Sequence, residues 1–103
     1  MDTKRAAEIV KQYAEVVCKN MSVQTVLLYG SYAHGTQRKD SDIDVAVIVE
    51  KITDDFLTSQ AFLHKLTRNI DTRIEPVLFE AKTDKSGFVE NIFKTGKIIY
   101  RTN

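Results

Sequence analysis

Cysteine occurs once in the chain, at Cys18. That excludes an intrachain disulfide and any multi-cysteine metal site, and it fits a reducing, cytoplasmic setting. With four glycines and one proline, the chain is neither collagen-like nor of low complexity. Charge of one sign is missing too: 15 Lys+Arg against 14 Asp+Glu leave a formal net charge of +1. The basic footprint of a dedicated nucleic-acid binder is therefore absent. No apolar run approaches the roughly 18 residues needed to cross a bilayer, so no membrane partner is expected. The start, MDTKRAAEIVKQ, has no apolar stretch behind its basic residues and does not read as a secretory signal. What is present is ordinary globular composition, 43% hydrophobic and 28% charged over 103 residues. One domain over 1–103 is expected, with no repeat and no linker.

The apolar pattern predicts an α/β domain in which a small mixed β-sheet is packed by helices. A first helix over 3–19 buries Ala6, Ile9, Val10, Tyr13, Ala14 and Val17 at helical spacing, capped by Asp2 or Thr3. Residues 25–29 (TVLLY) read as a first strand that stops at Gly30. Residues 30–41 read as a turn, a short helix starting near Ser31, and a charged loop through Arg38, Lys39 and Asp40. Residues 43–49 (IDVAVIV) form a second strand, apolar at every position beyond Asp44, as in a strand covered on both faces. A helix opening at Thr53 or Asp54 runs to about Arg68, its buried stripe being Phe56, Leu57, Phe62, Leu63 and Leu66. Residues 73–79 are a third strand, placed at an edge or bulged because Pro76 cannot donate to a ladder. Ser86 is read as the cap of a last helix holding Phe88, Val89, Ile92 and Phe93, with Gly96 as its C′ glycine. A short strand at 98–100 follows.

Asp42 and Asp44 carry the most information. Two apart at a strand entrance, they point to one face, ahead of Ala46 and Ile48. Two carboxylates at such a spacing, roughly 7 Å, repel by about 2 kcal/mol at an effective dielectric near 20. Folding gives no reason to place them beside an apolar strip. A divalent cation removes the repulsion, and oxygen-only ligands suit Mg²⁺ or Mn²⁺. An isolated D-x-D pair reads more readily as a surface turn whose aspartates face water than as a metal site. The preceding loop shifts the balance. Gly30 and Ser31 follow a strand and open a short helix, which aims free N–H groups at an anion. Gly30 leaves the main chain open to a phosphate oxygen, and Gly35 turns Arg38 and Lys39 back toward the same mouth. A phosphate cradle followed by a carboxylate pair describes a site for a metal-bound nucleoside triphosphate. His64, mid-helix between Gln60 and Arg68, is read as structural, and Cys18 as a packing residue. Tyr29 is expected to pack at the strand end. Tyr32 is open between lining the nucleotide pocket and facing a partner.

The stretch GSYAHG (30–35) followed by SDIDVAV (41–47) resembles the signature of the polymerase-beta-like nucleotidyltransferases. More narrowly it resembles the minimal nucleotidyltransferases that are paired with HEPN-domain partners. The closing GFVENIFKTGKIIY (87–100) looks like the family's last helix and strand, so the resemblance spans nearly the whole chain. It implies that Gly30 and Ser31 hold the β- and γ-phosphates of ATP and that Asp42 and Asp44 bind the metal. It also implies a third carboxylate on the next strand, which shares a metal and activates the acceptor hydroxyl. Glu75 sits on the right element, with Asp71, Glu80 and Asp84 as rivals. Two departures stand out: Glu75 replaces the more usual aspartate, and His34 occupies a position where many relatives carry arginine.

That family includes antitoxins that transfer AMP from ATP onto a tyrosine of a HEPN ribonuclease toxin, and the resemblance implies that activity here. Two alternatives remain open on sequence alone. One is a non-catalytic antitoxin that neutralises its HEPN partner by contact. The other is a small-molecule, aminoglycoside-like nucleotidyltransferase acting as an oligomer.

Overall fold

The computed structural model describes residues 2–81 and 87–102. Helix α1 (Thr3–Asn20) begins at Asp2, whose carboxylate accepts the Arg5 N–H at 2.8 Å, as the expected N-cap. Strand β1 (Thr25–Tyr29) leads through Gly30 into the single-turn helix α2 (Ser31–His34), and β2 (Ile43–Val49) follows. Helix α3 (Phe56–Leu66), a 3-10 turn at Thr67–Asn69, β3 (Ile74–Glu80), α4 (Phe88–Thr95) and β4 (Lys97–Arg101) complete the order. The four strands make one mixed sheet in the order β3-β2-β1-β4. β1 is antiparallel to both β2 and β4, and β2 is parallel to β3. Among the described residues no helix is long and apolar enough to cross a membrane.

Both sheet faces are covered, which explains the unbroken apolar run of β2. On one face, Val26, Leu28, Ile43, Val45, Val47, Ile74 and Leu78 pack against α1, Tyr32 of α2 and Leu63 of α3. On the other, Leu27, Ala46 and Ile48 pack against Val89 and Ile92 of α4. Each such side chain contributes about 1.5–3 kcal/mol when fully buried. Two long-range hydrogen bonds tie the helices of the first face together. Tyr13 Oη donates to the Leu63 carbonyl at 2.8 Å, and Thr3 Oγ1 donates to the Tyr32 carbonyl at 2.8 Å. Burial pushes the Tyr13 pKa up, so its hydroxyl stays a donor.

Pro76 does lie on an edge strand, as its missing N–H requires. The edge is not left bare. Gln60 Nε2 donates to the Pro76 carbonyl at 2.6 Å, and Gln60 Oε1 accepts the Leu78 N–H at 2.9 Å. One side-chain amide thus takes the place of a neighbouring strand's peptide group and blocks pairing along that edge.

Four expectations need correction. Helix α3 starts at Phe56 with Asp55 as cap, later than Thr53 or Asp54; the Asp55 carboxylate accepts the Thr58 N–H at 3.1 Å. Its stripe is also thinner than expected. Only Leu63 of the five is buried; Phe62 and Leu66 are half-buried, while Phe56 and Leu57 are 44% and 74% exposed. The helix meets β3 through small Ser59 and through Gln60, which bonds to the strand instead of burying apolar surface. Gly96 does cap α4, but with φ −89° it is not in the left-handed region. A side chain there would press to 2.8 Å from the carbonyl oxygens of Leu28 and Ile92, so close approach of α4 to β1 demands the glycine. Tyr32 belongs to neither alternative: it is buried in the main core. The proposed Ser86 cap lies outside the described residues.

Candidate active site

Register brings the site residues together. Asp44 stands opposite Tyr29 on β1 and opposite Glu75 on β3. Laterally paired residues of a sheet point to the same face, so Tyr29, Asp44 and Glu75 form one row across three strands. Asp44 is half-buried, Glu75 is exposed on the edge strand, and Asp42 is exposed just ahead of β2. The Asp44 carboxyl is held above the usual carboxylate range, first by burial, then by the negative charges of Asp42 and Glu75. Tyr29 is pushed up by burial and by the same row of charge, from Asp44 and Glu75.

Gly30 is fixed by backbone and space at once. Its φ of +74° and ψ of −150° lie in a region essentially closed to other residues. The room left by its missing side chain is occupied: an added Cβ would collide with Asp44 Oδ2. The glycine therefore seats the carboxylate as well as opening the main chain. Beyond it, α2 makes its first intrahelical bonds from the Ala33 and His34 N–H groups to the Gly30 carbonyl, at 3.1 and 3.2 Å. Ser31 and Tyr32 open the turn, where N–H groups have no intrahelical acceptor. Gly35, at φ +71°, ends the turn with nothing within 4 Å of its would-be Cβ. Substitution separates the two glycines. Gly35→Ala should cost about 1–2 kcal/mol from φ alone. Gly30→Ala should cost more, because the added Cβ must also displace the Asp44 carboxylate. Urea midpoints check this; equal losses in the two variants would contradict it.

Two of the rivals of Glu75, Asp71 and Glu80, are turned away from the carboxylate row. Asp71 is engaged by Arg73, whose Nε and Nη2 donate to it at 3.0 and 2.6 Å, and this pairing lowers its pKa. Glu80 pairs with Val49 at the far end of β3, and alternation turns it to the opposite face. Asp84 lies outside the described residues. Arg38 and Lys39 are exposed on the loop between α2 and β2, where the Arg38 N–H donates to Ser41 Oγ at 2.8 Å. The structure does not bring their side chains onto the carboxylate row. His34 and His64 are both exposed.

A cavity of about 400 Å³ lies elsewhere, at the end of β2 away from Asp44, lined in part by Met21, Val49, Ile52, Phe62 and Leu78. Sequence reasoning missed what shares the face of the carboxylate row: Tyr29, Phe79 and Phe88 form an aromatic cluster there. The only signal was the position of Tyr29 just ahead of Gly30, and its partner across the sheet could not be known without the register.

A mixed sheet with a Gly-Ser turn after β1 and carboxylates on β2 and β3 defines a nucleotidyltransferase-type α/β domain. The profile of the polymerase beta nucleotidyltransferase family matches residues 11–103, and the chain belongs to that family. It is similar to protein adenylyltransferase MntA of Shewanella oneidensis, with 28% identity over 80 residues. The match covers 78% of this chain and 55% of that one, so the chain spans about half the length of this relative. A Methanocaldococcus jannaschii protein, MJ0141, provisionally named for the same activity, is 27% identical over 94 residues, covering 86% of this chain and 93% of its own. A crystal structure of a mutant MntA-HpeT toxin-antitoxin superposes with a TM-score of 0.67 at 26% identity, covering 89% of this chain and 72% of that one.

Proposed function

We propose that this chain is an Mg²⁺- or Mn²⁺-dependent protein adenylyltransferase. It transfers AMP from ATP to a hydroxyl, a tyrosine of a HEPN-domain toxin, and so serves as that toxin's antitoxin. The row of Asp44 and Glu75 beside Gly30–Ser31 carries the reading.

The donor set fits a hard divalent cation. It is all oxygen, and Asp44 is burdened by burial and by two like charges, which bound positive charge relieves. Among the described residues no three Asp, Glu, His or Cys side chains gather closely enough to hold an ion unaided. An ion there would need the substrate's phosphates as further ligands, as is common for Mg²⁺. Asp42 and Asp44 are its ligands in this reading, and Glu75 shares it from the edge strand. When bound, the metal neutralises charge on the α-phosphate and the departing pyrophosphate.

The residues do the rest by position. Gly30 and Ser31 hold the β- and γ-phosphates at the start of α2, and Arg38 and Lys39 add positive charge beside them. Glu75 accepts the proton of the acceptor hydroxyl, whose oxygen bonds to the α-phosphorus as the bond to pyrophosphate breaks. Glu75 lies exposed on an edge strand, so a protein segment can reach it from outside the fold. Co-expression with a HEPN-domain partner, followed by intact-mass measurement of that partner, tests this. One added AMP on the neutralised partner is expected. A partner that is neutralised but unmodified would defeat the enzymatic reading in favour of inhibition by contact.

A further inference from the structure

A strand at the edge of a sheet has a neighbouring strand on one side only, and β3, which carries Glu75, is such a strand. Backbone groups alternate between the two sides of a strand. At the ends of β3, the Arg73 carbonyl accepts the Ile43 N–H and the Ala81 N–H donates to the Val49 carbonyl. With the register unbroken between them, Glu75 and Val77 also bond toward β2, and the groups of Pro76 and Leu78 point outward. One side chain takes both outward groups. Gln60 Nε2 donates to the Pro76 carbonyl at 2.6 Å, and Gln60 Oε1 accepts the Leu78 N–H at 2.9 Å. The amide has a firm base on α3, between buried Ser59 and buried Leu63, and the Leu63 carbonyl accepts the Tyr13 hydroxyl at 2.8 Å. Pro76 directly follows Glu75, and a residue before proline is confined to extended backbone.

We infer that Gln60 is a positioning residue for Glu75: its amide clamps the outer edge of β3 and so holds the proton acceptor on the carboxylate row. The inference rests on the reading of Glu75 as that acceptor. Released from the clamp, the strand is held at Pro76–Leu78 from the β2 side alone, and its outward groups turn to water. Proton transfer requires donor and acceptor within about 2.6–3.2 Å of each other, so a small displacement of Glu75 slows the chemical step. Gln60 acts through Glu75 and supplies no reacting group, and Asp42, Asp44 and the Gly30–Ser31 turn lie on elements it does not bond. ATP affinity therefore stays where it was.

The test compares Gln60→Met, which keeps the length of the side chain and removes the amide, with Glu75→Gln and with the double variant. In single-turnover transfer to a HEPN-domain partner with Mg²⁺, Gln60→Met alone should slow the step about tenfold and leave the half-saturating ATP concentration unchanged. In the Glu75→Gln background the same substitution should cost nothing further. A second readout needs neither metal nor partner. In amide hydrogen exchange of the free protein, Gln60→Met must expose the Leu78 N–H, whose acceptor is gone. The inference requires that the Glu75 and Val77 N–H groups lose protection with it, while α1 keeps its own. Wild-type transfer by Gln60→Met overturns the inference. Equal slowing in both backgrounds, or a Glu75 amide as protected as in wild type, overturns it as well, since the Gln60 amide would then only seal the edge. A wild-type protein that transfers no AMP would instead defeat the reading of the carboxylate row on which the inference rests.

Discussion

Asp44→Asn should abolish AMP transfer, by about 10³-fold or more, and at the same time leave the metal-free protein more stable than wild type. The first effect follows from removing a charged ligand at the reacting phosphorus, where metal-assisted charge stabilisation supplies several kcal/mol. The second has the opposite sign because the carboxylate is a burden without its cation. The folded protein holds the Asp44 carboxyl above its ordinary pKa through burial and the charges of Asp42 and Glu75. Between the ordinary and the raised values the folded state binds more protons than the unfolded chain, so stability falls as pH rises through that window. At neutral pH the ionised group therefore opposes folding, and the amide does not. Thermal melts should show Asp44→Asn above wild type at pH 7, with the gap closing as pH falls from the raised value toward about 4. Adding Mg²⁺ with ATP should raise the wild-type melting temperature and leave the variant where it was. A variant that is less stable than wild type at pH 7 would contradict the electrostatic account of the row.

Glu75→Gln should lower transfer by about 10²–10⁴-fold while leaving ATP binding and partner binding close to wild type. A tyrosine with a pKa near 10 is almost wholly protonated at neutral pH, so its attack needs an acceptor for the proton, and removing a general base costs about that factor. Glutamine keeps shape and hydrogen bonding on an exposed edge strand, so no stability loss of note accompanies the change. Single-turnover transfer with saturating ATP isolates the chemical step. If transfer is intact in Glu75→Gln, the proton leaves by another route, and the assignment of Glu75 fails while the family and the roles of Asp42 and Asp44 stand.

Much of this was legible in the sequence for specific physical reasons. β2 announced itself because a strand covered on both faces is apolar throughout, which made Asp42 and Asp44 conspicuous at its entrance. Pro76 marked β3 as an edge strand because it lacks an N–H. Glu75 could be singled out by element only. Its alignment with Asp44 depends on how far α3 and its loops advance the chain before β3 pairs with β2, and no local pattern encodes that. The same missing register hid Tyr29 opposite Asp44. The errors came from helices whose contacts are not the usual ones. Phe56 and Leu57 match an apolar stripe in sequence, yet α3 joins the sheet through Leu63 and the Gln60 amide and leaves both exposed. Gly30 was read for the phosphate it could admit, and its larger constraint, the Asp44 carboxylate filling the space of a side chain, is visible only when β1 and β2 are paired.

Transfer of label from ATP to the HEPN partner tests the central claim most directly. The protein is incubated with Mg²⁺, the partner and ATP carrying radioactive phosphorus either at the α- or at the γ-position. Nucleotidyl transfer at the carboxylate row predicts that α-label becomes bound to the partner's tyrosine, that γ-label leaves as pyrophosphate, and that Asp42→Asn and Asp44→Asn each remove the α-signal. Label on the partner from the γ-position, or a neutralised partner carrying no label from either, would contradict it.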